Sequence, residues 1–225
     1  MNESPKINRI NITPKETLNL LMEGNQRFIG NAKRQYNMKS IREELKDKQQ
    51  PIASILGCSD SRTSAELIFD QNLGDLFSVR LAGNIASKEA IGSLEFSCTQ
   101  LGSKVIVVMG HSNCGAIKAA CDKYEGGNIG EIISLISPAV EAEKSINNKD
   151  HRDSQNELFV EKVCFLNVQR QIEVILKHSP IINQMVKDKK IGIVGGIYSL
   201  SSGLFEIDKE NSILLELYLK LSTII

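Results

Sequence analysis

Four short apolar runs, Ala53 to Cys58, Leu76 to Ala82, Lys104 to His111 and Ile191 to Leu200, constrain this chain more than any other feature in it. Each has the length of a buried strand and is too continuously apolar to show one face to water. Helical spacing fills the gaps between them. Ser87 caps a segment whose Ile91, Leu94, Cys98 and Leu101 share one face and which Gly102 closes. Cys114 to Tyr124, Glu131 to Ile146 and Glu157 to Lys177 read as further helices. Strands alternating with helices predict an α/β fold with a mostly parallel central sheet of four strands, flanked by helices. Ser201-Ser202-Gly203 predicts a hairpin that adds one antiparallel edge strand, Leu204 to Ile207.

Residues 1–50, ahead of the first run, read as an N-terminal helical arm packed on the main body. Thr13-Pro14-Lys15-Glu16 is a capping box with proline at the first helical position, and Leu18, Leu21, Met22, Phe28 and Ile29 follow with helical spacing. Ser40 to Gln50 is a second expected helix, closed off by Pro51. Residues 51–225 then form a single α/β domain, in which the polar stretch Asn147 to Asn156 is a loop between helices.

Charge narrows the partners. The chain carries 27 basic and 27 acidic side chains, so it lacks the positive footprint of a nucleic-acid binder or a polybasic membrane-surface protein. Met1 to Lys15 is polar where an export signal would be apolar, and no stretch approaches the ~20 apolar residues of a membrane span. The expected compartment is the cytoplasm. Five cysteines in a reducing compartment do not make a disulfide framework, so some of these thiols are candidates for ligands or nucleophiles.

Two segments put reactive side chains just past the C-terminal end of a predicted strand, where open α/β sheets bind ligands. They are Cys58-Ser59-Asp60-Ser61-Arg62 and His111-Ser112-Asn113-Cys114-Gly115. His111 and Cys114, three apart at a strand-to-helix turn, can point at one ion, and Cys58 from a neighbouring strand end can complete the set. Three protein ligands leave a fourth tetrahedral position open, which separates a catalytic zinc site from a structural one. Asp60 and Arg62 place a charge pair beside the Cys58 thiol. Cys98, Cys121 and Cys164 sit at packing positions on helices. A cysteine-phosphatase loop would need five residues between Cys58 and its arginine, and only three stand there. A purely structural zinc or anion-binding module stays an alternative, although no fourth Cys or His is placed to close the site.

The two segments resemble the signatures of the β-class carbonic anhydrases, in the plant-like subgroup of bacterial type. The resemblance begins at Gly24-Asn25-Gln26-Arg27-Phe28 and passes through the Cys58 segment, Gly74-Asp75-Leu76-Phe77-Ser78-Val79-Arg80 and the His111 segment. It ends at Gly195-Gly196-Ile197-Tyr198, so it covers about residues 15–210. It implies Cys58, His111 and Cys114 as ligands of one zinc ion, Asp60 with Arg62 as the catalytic dyad, and hydration of CO2 to bicarbonate and a proton by a zinc-bound hydroxide. It further implies a closed form in which Asp60 leaves Arg62 for the metal. Two thiolates and one neutral imidazole cancel the charge of the ion, so help from groups around the ligands is expected. Gln49 matches the family's substrate-orienting glutamine and Phe77 an aromatic wall residue. Phe96 stands where the subgroup often has tyrosine, and the Gly115 N–H is placed to meet an oxyanion. The family's active site lies at a dimer interface, so a homodimer or homotetramer is implied, with CO2 and bicarbonate as partners and neither nucleic acid nor membrane. Some relatives hydrolyse CS2 or COS with the same site, an alternative the residues leave open. One departure stands out: the subgroup with a non-catalytic bicarbonate pocket has a tryptophan where this chain has Ile55, so Arg80 and Tyr198 are expected not to form one.

Overall fold

The four apolar runs are strands of one sheet. In the computed structural model, which describes residues 9 and 11–208, the chain passes through α1 (Pro14–Ile29), α2 (Met38–Leu45), β1 (Ala53–Gly57), α3 (Ala65–Ile68), β2 (Leu76–Arg80), α4 (Lys88–Phe96), β3 (Val105–His111), α5 (Gly115–Cys121), α6 (Gly127–Ala142), α7 (Glu157–His178), α8 (Pro180–Lys187), β4 (Gly192–Tyr198) and β5 (Phe205–Ile207). The outermost parts of the expected arm and domain, residues 1–8, 10 and 209–225, lie outside the described residues. The sheet order is β2-β1-β3-β4-β5, parallel throughout except for β5, which pairs antiparallel with β4 as the hairpin predicts.

Alternation along each strand sends side chains to two cores. Val105, Val107 and Met109 of β3 point into a cluster with Leu18 and Leu21 of α1, Ile68 and Phe69. Ile106 and Val108 point the other way, onto Leu94 of α4, Val168, Ile172 and Ile175 of α7 and Ile182 of α8. Burying each such side chain contributes about 1.5–3 kcal/mol, which holds the sheet between two helical layers. A third cluster, built by α5, α6 and the first turns of α7, lies beyond the strand ends and includes Cys58 and Cys114.

The capping box forms as expected: the Glu16 N–H donates to Thr13 Oγ1 at 3.2 Å, and the Thr13 N–H donates to Glu16 Oε2 at 2.8 Å. Helix α1 belongs to the chain's own core. Gly24 lets it approach the sheet side closely, because a Cβ there would fall 1.7 Å from the Phe69 carbonyl oxygen. Next to it, buried Asn25 donates to the carbonyls of Ile68 and Gly203 and accepts from the Phe205 N–H, which ties the helix to the edge strand.

Some elements differ from expectation, and the end of the Ser87-capped helix at Gly102 falls where expected. Helix α2 spans Met38–Leu45, and its start is fixed by Asn37, which caps it through the Ser40 N–H. Helix α6 begins at Gly127 and ends at Ala142, where Glu143 turns back to accept from the N–H groups of Ser145 and Ile146. The segment from Ser97 to Leu101 continues α4 as a wider π-turn, closed by Gly102 at φ 84°. Helix α8 is additional: Ser179 is its cap and Pro180 its first residue. No helix among the described residues is long and apolar enough to cross a membrane.

Candidate metal centre

Because β1 and β3 are adjacent and parallel, Cys58 and His111 leave the sheet side by side. The turn after β3 is tight. Asn113 adopts φ 57°, a conformation asparagine tolerates, and brings Cys114 to the start of α5, whose first residue is Gly115. The ligand atoms of Cys58, His111 and Cys114 all lie within 4.8 Å of one another, and all three residues are buried.

The donor set fits a tetrahedral cation. The two sulfurs are 3.9 Å apart, against roughly 3.8 Å for two thiolates at ~2.3 Å from one zinc ion. His111 Nδ1 lies 2.9 Å from the Ser112 carbonyl oxygen. A carbonyl only accepts, so Nδ1 carries the proton and Nε2 carries the lone pair. That Nε2 is buried and has no hydrogen-bond partner among the described residues, as expected of an atom whose partner is a metal.

The thiols of this cluster differ from the other three. The hydrogen bond from Cys114 holds the Cys58 thiol far below its ordinary range, while the same pairing and burial push Cys114 up, so the pair shares one proton. Burial pushes Cys98, Cys121 and Cys164 up to about 12, which leaves them as inert packing groups.

Asp60 stands at the mouth of the cluster, clasped by Arg62. Arg62 Nε donates to Oδ1 at 2.9 Å and Nη2 to Oδ2 at 2.7 Å, and the Arg62 N–H adds a third bond at 2.9 Å. These bonds hold the Asp60 carboxyl well below the usual carboxylate range, so it is ionised and accepts only. Its Oδ2 is 4.0 Å from His111 Nε2, outside the ligand group and on the arginine side.

Two residues fix this loop: Arg80, weighed from sequence only for a bicarbonate pocket, and Thr63, which sequence reasoning passed over. Arg80 Nε donates to the Cys58 carbonyl at 3.0 Å and Arg80 Nη2 to the Asp60 carbonyl at 2.6 Å. Thr63, buried, donates its hydroxyl toward the same two carbonyls. The signal for Thr63 was its place one residue after Arg62, where a hydroxyl can close a turn. Ile55 is buried in the sheet core.

Gln49, Phe77 and Phe96 are not brought to the cluster within one chain. Phe77 pairs with Ser54, four residues before Cys58 and so roughly 13 Å back along the sheet at ~3.3 Å per residue. Gln49 precedes β1 and is exposed. Phe96, 49% exposed, stacks obliquely on Phe77 with ring centroids 6.4 Å apart. Gly115, in contrast, stands beside Cys114, with open space where a side chain would be.

Similarity to known proteins agrees with this geometry. The carbonic anhydrase family model matches residues 53–205. Carbonic anhydrase 2 of Mycobacterium tuberculosis is 33% identical over 200 residues, covering 86% of this chain and 92% of that protein. Among solved structures, the Coccomyxa β-carbonic anhydrase in complex with acetazolamide aligns with TM-score 0.66 and 23% identity over 92% of this chain and 98% of its own. A structure from the study of two tetrameric β-carbonic anhydrases of Sordaria macrospora aligns with TM-score 0.64 and 23% identity over 85% and 96%. The chain belongs to the β-class carbonic anhydrase family. Its activity is that of a carbonate dehydratase, interconverting CO2 and water with bicarbonate and a proton.

Proposed function

We propose that Cys58, His111 and Cys114 hold one zinc ion per chain and that Asp60 and Arg62 form the dyad that directs CO2 hydration beside it. The observation that carries this reading is the buried meeting of two sulfurs and an unpartnered imidazole nitrogen at the ends of adjacent parallel strands. Zinc bound there supplies a Lewis acid that lowers the pKa of water enough to give a nucleophile near neutral pH. The chain's own residues do the rest. His111, fixed through Nδ1 by the Ser112 carbonyl, presents Nε2 without rotating. The Asp60 carboxylate, accepting only, takes a hydrogen bond from the attacking oxygen and so aims its lone pair at the carbon of CO2. Arg62 grips that carboxylate in a fork and keeps it from the metal. Bicarbonate then leaves, and the proton released from water passes to buffer.

Binding of CO2 falls to Gln49, Phe77, Phe96 and Gly115, a small slot that is largely apolar, as a molecule with little hydrogen-bonding capacity requires. Since Gln49, Phe77 and Phe96 stand at the far end of the chain's own sheet, we assign them to the site of a second copy, in a homodimer or homotetramer whose active sites lie at the dimer interface. Helix α2, none of whose residues is buried among the described residues and which exposes Met38, supports such an arrangement, as does the tetrameric assembly named for the Sordaria enzymes. The test is stopped-flow CO2 hydration across pH with zinc quantified in the same sample. One zinc per chain with hydration is expected; one zinc per chain with no hydration at any pH would reject the assignment.

A further inference from the structure

Helix α7 is apolar on its buried side except at two positions one turn apart. Asn167 (0% exposed) and Gln171 (2% exposed) are buried as fully as Val163, Val168 and Ile172 around them. Carboxamides in such places destabilise a core unless their hydrogen bonds are made. Here the bonds converge on the loop between β2 and α4. Asn167 Nδ2 donates to the Gly83 carbonyl at 2.9 Å, Gln171 Nε2 donates to Asn167 Oδ1 at 2.9 Å, and the Ala86 N–H donates to Gln171 Oε1 at 2.8 Å. The loop is therefore held from below at residues 83 and 86.

The held segment touches the metal centre. The Gly83 N–H donates to Cys58 Sγ at 3.4 Å. Gly83 has φ 69°, and a Cβ there would meet Ile136 Cδ1 at 2.5 Å, so both conformation and space reserve the position for glycine. The N–H and carbonyl of Gly83 flank one Cα, and fixing the carbonyl restricts the rotation that would swing the N–H off the sulfur. One turn earlier on the same face of α7, the Cys164 thiol donates to the His111 carbonyl at 3.3 Å. A single helix face thus reaches two of the three ligand-type residues, the His111 backbone directly and the Cys58 sulfur through Gly83.

We propose that Asn167 and Gln171 are positioning residues for the metal centre: they hold the Gly83 N–H on the Cys58 sulfur, and that bond draws charge from the thiolate. This inference rests on the reading of Cys58, His111 and Cys114 as metal ligands. The chemical reason lies in the ligand set. Two thiolates and a neutral imidazole cancel the charge of a divalent ion and weaken it as a Lewis acid, and a hydrogen bond to a ligand sulfur takes back part of the donated charge.

The test uses the full chain loaded with cobalt(II), whose thiolate-to-metal charge-transfer absorption reads the electron density on sulfur. Asn167→Leu and Gln171→Met remove the hydrogen bonds while keeping the heavy-atom branching of Asn167 and the length of Gln171, and Val168→Ala disturbs the packing of the same helix without touching them. The charge-transfer band of both carboxamide variants is expected to move to longer wavelength with one cobalt per chain retained, while Val168→Ala keeps the wild-type band. Turnover of the zinc forms of the two carboxamide variants is expected to fall about tenfold. An unmoved band in the carboxamide variants, or an equal shift in Val168→Ala, would overturn the proposal. Should Asn167→Leu fail to fold, Gln171→Met decides by the same criteria. A wild-type protein that shows no thiolate charge transfer with cobalt would instead remove the ligand reading itself, and the positioning role with it.

Discussion

At the carboxyl ends of β1 and β3, Cys58, His111 and Cys114 are buried, share one small volume and are pinned through Arg80, Thr63, Ser112 and Gly83. Toward the amino ends of β1 and β2, Gln49 is exposed, and Phe77 and Phe96 meet each other while Phe96 keeps half its surface in solvent. The first region gathers its groups among the described residues of one chain; the second is left open to solvent. A metal centre needs ligands placed to a fraction of an ångström, which the sheet of a single chain can supply. An apolar slot for a small uncharged molecule needs only walls, and walls can come from another copy.

The largest expected effect lies at the metal end. His111→Ala or Cys114→Ser should release the metal and drop hydration to the uncatalysed background, checked by metal analysis and stopped-flow on one preparation. Next comes Asp60→Asn, which should keep one zinc per chain yet depress turnover roughly 10²-fold or more; loss of zinc would make Asp60 a structural ligand instead. At the open end, Gln49→Ala and Phe77→Ala should leave zinc untouched and lower kcat/KM about tenfold, about 1.4 kcal/mol of transition-state binding. The smallest effect separates the cysteines. Alkylation of metal-free protein near neutral pH should label the Cys58–Cys114 pair first, since the pair shares one proton, and leave Cys98, Cys121 and Cys164 unmodified; mass mapping of the labelled peptides checks the order.

Much of the metal end was legible in the sequence, because strands announce themselves by continuous apolar runs and the ligand-type residues sit directly at their ends. Cys58, Asp60, Arg62, His111 and Cys114 meet where the parallel-sheet reading puts them. The distance from Gln49, Phe77 and Phe96 to that cluster was not legible, because motif order along a chain does not say which end of a sheet a residue occupies. Asn167 and Gln171 were passed over as well. Their signal, two carboxamides at i and i+4 amid Val163, Val168 and Ile172, marks a polar network inside a core, but its target, Gly83, lies 84 residues away. Helix α8 was missed because Ser179-Pro180 serves equally as an end and as a beginning.

The most direct measurement is subunit complementation. A His111→Ala chain, intact at the open end, is mixed with a Gln49→Ala/Phe77→Ala chain, intact at the metal end, and subunit exchange is followed by mass tags. If each active site joins the metal end of one chain to the open end of another, mixed dimers contain one site with no altered residue, and activity should rise to about a quarter of wild type under random pairing. Exchanged chains that stay at the level of their impaired parents would contradict a site shared between two copies.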